Sequence, residues 1–170
     1  MGVWSYGKIN LIKQKKIIIY NVSRHTAIDF IAAEKFFFVG DKEFKIEGVL
    51  QNFNLKPARV SLQVTESRDT LKSISHSKYL WQFYDKKLLI IDSTLSLMPL
   101  QNKIGVDVLL ITKNANVDIA NITSAVTPRC IVFDASNSLW KIAHWKTQCS
   151  LLHLPCFLTA EQGAFILNFN

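Results

Sequence analysis

Histidine, cysteine and serine side chains are the groups in this 170-residue chain that could hold a metal ion or attack a substrate. The four histidines, His25, His76, His144 and His153, stand far apart in the sequence. No serine lies in a Gly-x-Ser-x-Gly turn, and the six glycines form neither a Gly-x-Gly-x-x-Gly nor a Walker loop. The motifs therefore indicate no nucleophilic or nucleotide-binding enzyme.

The three cysteines predict packing rather than cross-linking. Cys130, Cys149 and Cys156 are odd in number, stand among apolar residues and form no Cys-x-x-Cys pair. Zinc sites and disulfide frameworks need paired or closely spaced cysteines. We therefore expect buried free thiols and no disulfide or zinc site.

Positive charge is in excess, +7 at neutral pH, and it is unevenly placed. Lys8, Lys13, Lys15 and Lys16 open the chain with no acidic residue among them, so we take residues 1–15 as a basic lead-in to one domain over residues 16–170. A basic surface attracts polyanions through counterion release, which makes nucleic acid or an anionic lipid surface a candidate partner. The alternative is that lysine and arginine only keep an apolar domain soluble.

The apolar content, 49% of the residues, excludes a disordered chain. Residues 17–20 and 36–39 are among the longest apolar runs, far short of the roughly 20 residues of a membrane span. The start of the chain lacks the apolar region and cleavage site of a signal peptide. We expect a globular domain, which could also be part of a larger membrane protein.

Short apolar runs bounded by turn residues predict a strand-rich chain. Residues 44–64, around Pro57, predict a short helix or further strands. Strands are expected over residues 16–20, 27–31, 35–39, 78–83, 87–91, 106–111, 130–133, 156–159 and 164–169.

Two helices are expected in the second half of the chain. The first has Ile119, Ile122 and Val126 at helical spacing, with Pro128 as its stop. The second follows the candidate N-caps Ser136, Asn137 and Ser138, and its apolar face is Leu139, Ile142, Ala143, Cys149 and Leu152. Strands that alternate with helices imply helices packed on a sheet, an α/β fold.

Several segments, in this order and spacing, resemble one known family. They are residues 21–27 (Asn-Val-Ser-Arg-His-Thr-Ala), 36–41 (Phe-Phe-Phe-Val-Gly-Asp), 88–92 (Leu-Leu-Ile-Ile-Asp), 106–111, 127–133, 137–142, 154–159 and 163–166. The first three are similar to Asp-Val-Gly-Gln-Gly-Asp-Ala, Ile-Leu-Ile-Asp-Gly-Gly and Leu-Leu-Thr-Gly-Asp of the metallo-β-lactamase-like domain at the C-terminus of ComEC-family competence proteins. The likeness covers residues 16–169.

The resemblance implies an αββα sandwich with two mixed β-sheets and few helices, truncated and degenerate relative to the hydrolases of its type. Those hydrolases hold two metal ions on a His-x-His-x-Asp-His loop and later histidines. At the later ligand positions this chain has Lys113, Asn114 and Lys141, and only Asp92 remains a ligand-type residue. The resemblance therefore predicts no catalytic residue, no bound metal and no cofactor.

The basic replacements predict phosphate contacts instead of chemistry. Arg24, Lys113 and Lys141 would supply charge, with Asn114 and Asn137 as neutral donors. The alternative is that these are ordinary loop residues. A second candidate is the hairpin with Lys86 and Lys87, where Trp81 and Tyr84 could stack single-stranded bases or could simply belong to the core.

Three functions stay open on the sequence. The first is a non-catalytic, soluble C-terminal domain of a bacterial inner-membrane DNA-uptake protein, on the periplasmic or outer face. It would brace the channel part of the same polypeptide or contact single-stranded DNA weakly. The second is an active metal-dependent phosphodiesterase or nuclease with relocated ligands such as His25, Asp41, Asp92 and Asp134. The third is a purely structural protein-interaction domain.

Overall fold

Two mixed β-sheets form the centre of the fold in the computed structural model, which describes residues 13–46, 48–93 and 98–169. The first sheet has the strand order β11-β1-β2-β3-β4, in which only the β3–β4 pair is parallel. Its strands are β1 (Lys15–Ile19), β2 (Ala27–Ala32), β3 (Lys35–Gly40), β4 (Thr65–Glu66) and β11 (Phe165–Asn168).

The second sheet has the order β10-β9-β8-β7-β6-β5, and β7 to β10 are parallel. Its strands are β5 (Ile74–His76), β6 (Leu80–Phe83), β7 (Lys86–Ile91), β8 (Ile104–Ile111), β9 (Val126–Phe133) and β10 (Cys156–Leu158). The helices are α1 (Val49–Asn54), α2 (Lys56–Ser61), α3 (Ile119–Thr123), α4 (Leu139–Leu151) and α5 (Thr159–Gln162), with a 3-10 turn at Lys42–Phe44.

Alternating side chains place an apolar core on both faces of each sheet. Ile17 and Ile19 of β1 pack between the sheets against strands β7 to β9, whereas Ile18 faces the α1–α2 layer. Leu109 of β8 and Phe133 of β9 pack outward against α3 and α4. The layers therefore follow the order helix, sheet, sheet, helix, which confirms the predicted α/β sandwich with two mixed sheets.

A buried ion pair joins α2 to the first sheet. Arg59 of α2 donates from Nε and Nη2 to the two carboxylate oxygens of Asp29, at 2.8 and 2.9 Å, and its guanidinium lies 3.9 Å from the centre of the Phe36 ring. The Tyr20 hydroxyl donates to the same carboxylate at 2.8 Å. Burial, and then the Asp29 charge, raise the pKa of Tyr20. Because each partner satisfies the other, two charges can be buried here at low cost.

The prediction of where the first of these helices ends is wrong. Val126 and Pro128 belong to β9, and α3 ends at Thr123. The Thr123 hydroxyl donates to the Ile119 carbonyl and the Ser124 hydroxyl to the Asn121 carbonyl. β10 pairs only with residues 131–133 of β9. Pro128 therefore lacks a neighbour on that side, and a strand tolerates proline there.

The predicted apolar face of α4 is partly wrong. Ile142 and Cys149 are buried as expected, but Trp145 completes the face, stacked on Phe133 at 5.4 Å between ring centres. Leu139 and Leu152 are exposed. The Trp145 indole finds a buried acceptor in the Val117 carbonyl, at 3.2 Å, which allows this aromatic residue to sit under the helix.

Residues 44–64 form helices rather than strands, and the last two strands do not pair with each other. β10 extends the second sheet and β11 the first, with α5 between them.

Cys149 is buried, Cys130 and Cys156 are partly buried, and all three are free thiols. Among the described residues, no helix has the length and apolar character needed to cross a bilayer.

Candidate functional site

The candidate site lies at the edge where parallel strands β7, β8 and β9 end. Asp92 follows β7, Thr112 follows β8 and Asp134 follows β9. The loop before β2 and Asp41 after β3 bring the first sheet to the same edge, as the Thr26–Asp134 and Lys113–Asp41 contacts show. Carboxyl ends of parallel strands are a common location for binding sites in α/β proteins.

A cleft of about 800 Å³ opens at this edge. The amino end of α4 borders it, so unpaired backbone N–H groups and the positive end of the helix dipole lie close to its wall. Its lining residues include no carboxylate: Asn21, Ser23, Arg24, Asn114, Ala135, Ser136, Asn137, Ser138, Leu139 and Ala160.

Beneath the cleft, Asp134 and three hydroxyl groups form a closed ring of hydrogen bonds. Thr26 donates to Oδ2 of Asp134 at 2.7 Å and contacts the Thr112 hydroxyl. Thr112 contacts the Ser136 hydroxyl at 2.8 Å, and Ser136 donates to Oδ1 of Asp134. Thr26 comes from the first sheet and the other members from the second. The ring therefore joins the two sheets at the site.

Burial controls the ionisation of Asp134, which is fully buried. Removal from water raises the pKa of this carboxyl to about 6, although hydrogen bonds from Ser136, Thr26 and Thr112 act in the opposite direction. A carboxyl buried among hydroxyls rather than beside a cation has no charge to stabilise its ionised form. Asp134 thus changes its protonation state close to neutral pH.

Backbone in the left-handed region shapes the cleft. Arg24, Lys113 and Asn114 have φ values of 65°, 55° and 53°. Each is held by a hydrogen bond from its backbone N–H: Arg24 to the Ala135 carbonyl at 2.8 Å, Lys113 to the Ser136 hydroxyl at 2.7 Å and Asn114 to Oδ1 of Asn137 at 2.9 Å. Non-glycine residues adopt this conformation rarely and at an energetic cost, and they concentrate at functional sites.

Asp41, beside the ring, is neutralised by a lysine. Lys113 Nζ lies 2.9 Å from Oδ1 of Asp41, and the Thr26 backbone N–H donates to Oδ2 at 2.9 Å. Partial burial alone would raise the pKa of Asp41, but the bonds from Lys113 and Thr26 outweigh it and hold the pKa below its usual value. The bond to Asp41 raises the pKa of Lys113 in turn. The pair remains ionised over the physiological range.

One group of possible metal ligands occurs among the described residues. His25, Asp41 and Glu43 each place a ligand atom within 4.8 Å of the others, with His25 Nδ1 at 3.3 Å from Asp41. Asp92, which is exposed, and Asp134, which is engaged in the hydroxyl ring, are not members. The relocated set of four ligands is therefore not assembled as a group.

The seven residues predicted to contact phosphate do not lie together in the structure. Arg24, Asn114 and Asn137 line the cleft, although the buried Asn137 amide donates to the Ile111 and Asp134 carbonyls at 2.7 and 3.0 Å. Lys141 donates to the carbonyls of Asn114 and Ala115, the latter at 3.2 Å. Lys141, like Lys113 with Asp41, therefore binds groups of the protein itself.

Lys86 and Lys87 lie at the opposite edge of the second sheet, where β7 begins. Lys86 Nζ is 2.9 Å from Asp85 and 4.0 Å from Asp107. In the same hairpin, the Trp81 ring is stacked on His76 and on Phe30, at 4.3 and 5.6 Å between ring centres. The Trp81 indole is therefore packed against other rings of the fold.

Sequence reasoning missed the hydroxyl residues Thr26, Thr112 and Ser136. Thr26 directly precedes β2 and Thr112 directly follows β8, while Ser136 lies three residues after the end of β9. A polar residue at the end of an apolar run was the available signal. Their mutual contact depends on the two sheets meeting, which no local pattern shows.

An α/β sandwich of two mixed sheets, with a polar cleft where its parallel strands end, is the class of fold and site that this chain defines. A model of the ComEC C-terminal domain family matches residues 17–169, and the chain belongs to that family. The resemblance found in the sequence is thereby confirmed. The family places the chain in competence, as part of a membrane-associated DNA-uptake protein. No curated protein and no solved structure matches the chain.

Proposed function

We propose that this chain is a non-catalytic, soluble domain of a DNA-uptake protein, on the periplasmic or outer face of the inner membrane, and that its cleft contacts the phosphate backbone of single-stranded DNA weakly. The observation that carries the proposal is the composition of the cleft, which has Arg24, amide and hydroxyl groups and no carboxylate in its lining. Such a lining attracts an anion without offering a general base or a metal ligand.

The wall of the cleft supports phosphate binding in two ways. Arg24 is exposed and carries a permanent charge that can bind a phosphate through two N–H groups. The amino end of the 13-residue helix α4 adds backbone donors and a favourable dipole. Contacts to phosphate carry no sequence information, so the proposed binding is non-specific and sensitive to salt.

The residues at this edge do not fit the two-metal centre of a hydrolase. The Lys113 ammonium binds Asp41, the central carboxylate of the only ligand group among the described residues, and a cation there repels a metal ion. Asp134 is fully buried under the hydroxyl ring. These contacts support a domain that holds DNA rather than cleaves it.

A salt titration with fluorescent single-stranded DNA tests the proposal. Arg24→Ala should weaken binding at low salt about tenfold and lower the slope of log K against log salt by about 0.7, the value for one phosphate contact on a single strand. Arg68→Ala is the matched control, since Arg68 is exposed outside the cleft lining. Absence of binding to the unmodified chain at low salt would reject the DNA contact and leave the bracing of the channel part of the same polypeptide.

The alternative of an active phosphodiesterase rests on the His25, Asp41 and Glu43 group. Metal analysis of the purified chain and a nuclease assay with manganese or zinc test this alternative. Stoichiometric metal, together with cleavage abolished by Asp41→Ala, would replace our proposal with a metal-dependent enzyme. Neither result is expected, because a metal ion bound by Asp41 would leave the Lys113 ammonium without its partner and would be repelled by it.

A further inference from the structure

Helix α1 presents apolar side chains to solvent. None of its six residues is buried, and Val49 and Phe53 are 72% and 78% exposed. These two residues are four apart and therefore lie on the same side of the helix. Ile46, just before the helix, is 75% exposed, and Leu50 is 40% exposed. We call these four residues the α1 surface.

An uncovered α1 surface is unfavourable in water. A helix of six residues has little stability of its own, and most helices of this length are held by burial of an apolar face. Large aliphatic and aromatic side chains grouped on one surface mark sites of protein or membrane contact. The apolar area also continues into a groove of about 420 Å³, which Phe53, Pro57, Leu62 and Ile166 help to line. The α1 surface is therefore expected to have a partner.

The charges around the α1 surface favour an anionic lipid bilayer as that partner. Lys42 and Lys45 are exposed and precede it in the sequence. The Glu43 carboxylate is turned toward His25 and Asp41, and Glu47 lies outside the described residues. Apolar side chains flanked by lysines are typical of helices that lie in the membrane interface, where the lysine stems extend toward lipid headgroups.

We propose that the α1 surface inserts into the headgroup region of an anionic membrane, with the lysines on lipid phosphates. The chain belongs to a family of membrane-associated proteins, so a bilayer lies within reach of this domain. The surface is distinct from the cleft, since the two share no lining residue. Membrane contact would orient the domain on the bilayer whether or not the cleft binds DNA.

Co-sedimentation of the full chain with vesicles tests this proposal. The chain should bind phosphatidylglycerol vesicles more strongly than phosphatidylcholine vesicles, and added salt should weaken the binding. The double variant Val49→Asp and Phe53→Asp should lower the partition coefficient at least about tenfold, because two inserted apolar groups are lost. Leu151→Asp is the matched control, since Leu151 is 75% exposed at the end of α4 and should change binding little.

Several outcomes would overturn the proposal. They are equal binding by the double variant and the unmodified chain, no binding to phosphatidylglycerol vesicles, or a dimer in light scattering that only the double variant converts to a monomer without any vesicle binding. Circular dichroism of each variant verifies that the chain remains folded. Arg24→Ala should bind vesicles as the unmodified chain does, so failure of the DNA proposal and failure of the lipid proposal give different results.

Discussion

The direction of the hydrogen bonds in the hydroxyl ring depends on the protonation of Asp134, whose Oδ1 also accepts from the Ser136 backbone N–H at 3.2 Å and the Asn137 amide at 3.1 Å. The ring has four oxygen–oxygen contacts, and the three hydroxyls Thr26, Thr112 and Ser136 supply three protons. With Asp134 ionised, one contact has no proton between its oxygens. A protonated Asp134 donates to Thr26, which lets Thr26 donate to Thr112, Thr112 to Ser136 and Ser136 back to Oδ1. Every contact then becomes a hydrogen bond.

The pKa of Asp134, raised by burial, predicts how the stability of the fold depends on pH. The unfolded carboxyl loses its proton near the reference pKa of 3.8, whereas the native one retains it to about 6. Between these values the native state binds more protons, so the contribution of Asp134 to the free energy of unfolding falls as pH rises, by roughly 3 kcal/mol in all. Above pH 6 the contribution is constant.

Asp134→Asn should remove this dependence, because an amide can donate to Thr26 and accept from Ser136 at every pH. The difference in Tm between the variant and the unmodified chain should rise in favour of the variant from pH 4 to pH 6 and then level off. Asp69→Asn, at an exposed carboxylate, is the control and should show a flat difference. Parallel Tm curves for Asp134→Asn would show that the carboxyl titrates normally.

At the scale of elements, β2 and β3 lie so close together at Gly40 that a side chain there would collide with β2. Gly40 pairs with Ala27, and a Cβ there would lie 2.3 Å from the Thr26 carbonyl oxygen and 3.1 Å from the Ala27 Cα. Both are backbone atoms that can move only if the strand moves. The strand end that carries Thr26 and Asp41 to the site thus depends on the absence of a side chain.

Gly40→Ala should lower the free energy of unfolding by about 2 kcal/mol, measured by urea denaturation. Gly105→Ala is the control, since a Cβ at Gly105 in β8 would have no atom within 4 Å. That variant should be neutral or slightly stabilising, because glycine costs a strand about 0.5 to 1 kcal/mol. Equal losses in the two variants would mean that the contact with β2 does not determine the effect of Gly40→Ala.

Nine of the eleven described strands were predictable from this sequence, whereas the short β4 and β5 were not, and β9 begins at Val126 rather than at the predicted residue 130. The apolar runs of β2 and of the second half of β8 are buried on both faces, and such runs are visible without an alignment. Pro128 misled the prediction because whether a strand tolerates proline depends on its neighbours, here the short β10. Trp145 was not placed on the buried face of α4 because its indole partner, the Val117 carbonyl, is distant in sequence.

At the scale of the whole molecule, the candidate site was predictable in its location but not in its contacts. Residue types after β8 and β9 pointed to the cleft, and Arg24, Asn114 and Asn137 do line it. The engagement of Lys113 by Asp41 was not visible, since Asp41 comes from the other sheet. Charge in the sequence indicates a partner for the protein as a whole, whereas the fold determines which charges have an internal partner.

The predicted phosphate contacts lie in two groups, at the cleft and at the opposite edge of the second sheet where β7 begins, and this separation gives the last prediction. Strand β7 runs six residues from Lys86 to Ile91, so the lysines at its start are about 20 Å from the cleft edge. Lys86 there is paired with Asp85 at 2.9 Å, and the Lys87 backbone N–H donates to Asp107 at 2.9 Å. Asp85 and Asp107 thus offset part of the charge of Lys86, Lys87 and the nearby Arg129. The two lysines should therefore contribute less to phosphate binding than Arg24.

The double variant Lys86→Ala and Lys87→Ala should therefore leave the affinity for a short single-stranded oligonucleotide within about twofold, and the salt slope within about 0.3, of the unmodified chain. Arg24→Ala should lower both by the larger amounts expected for a phosphate contact. Fluorescence anisotropy across a salt series measures both quantities. If the lysine variant loses as much affinity as Arg24→Ala, the strand must extend over both edges. If it alone loses affinity, DNA binds at the β6–β7 hairpin and the cleft has another ligand.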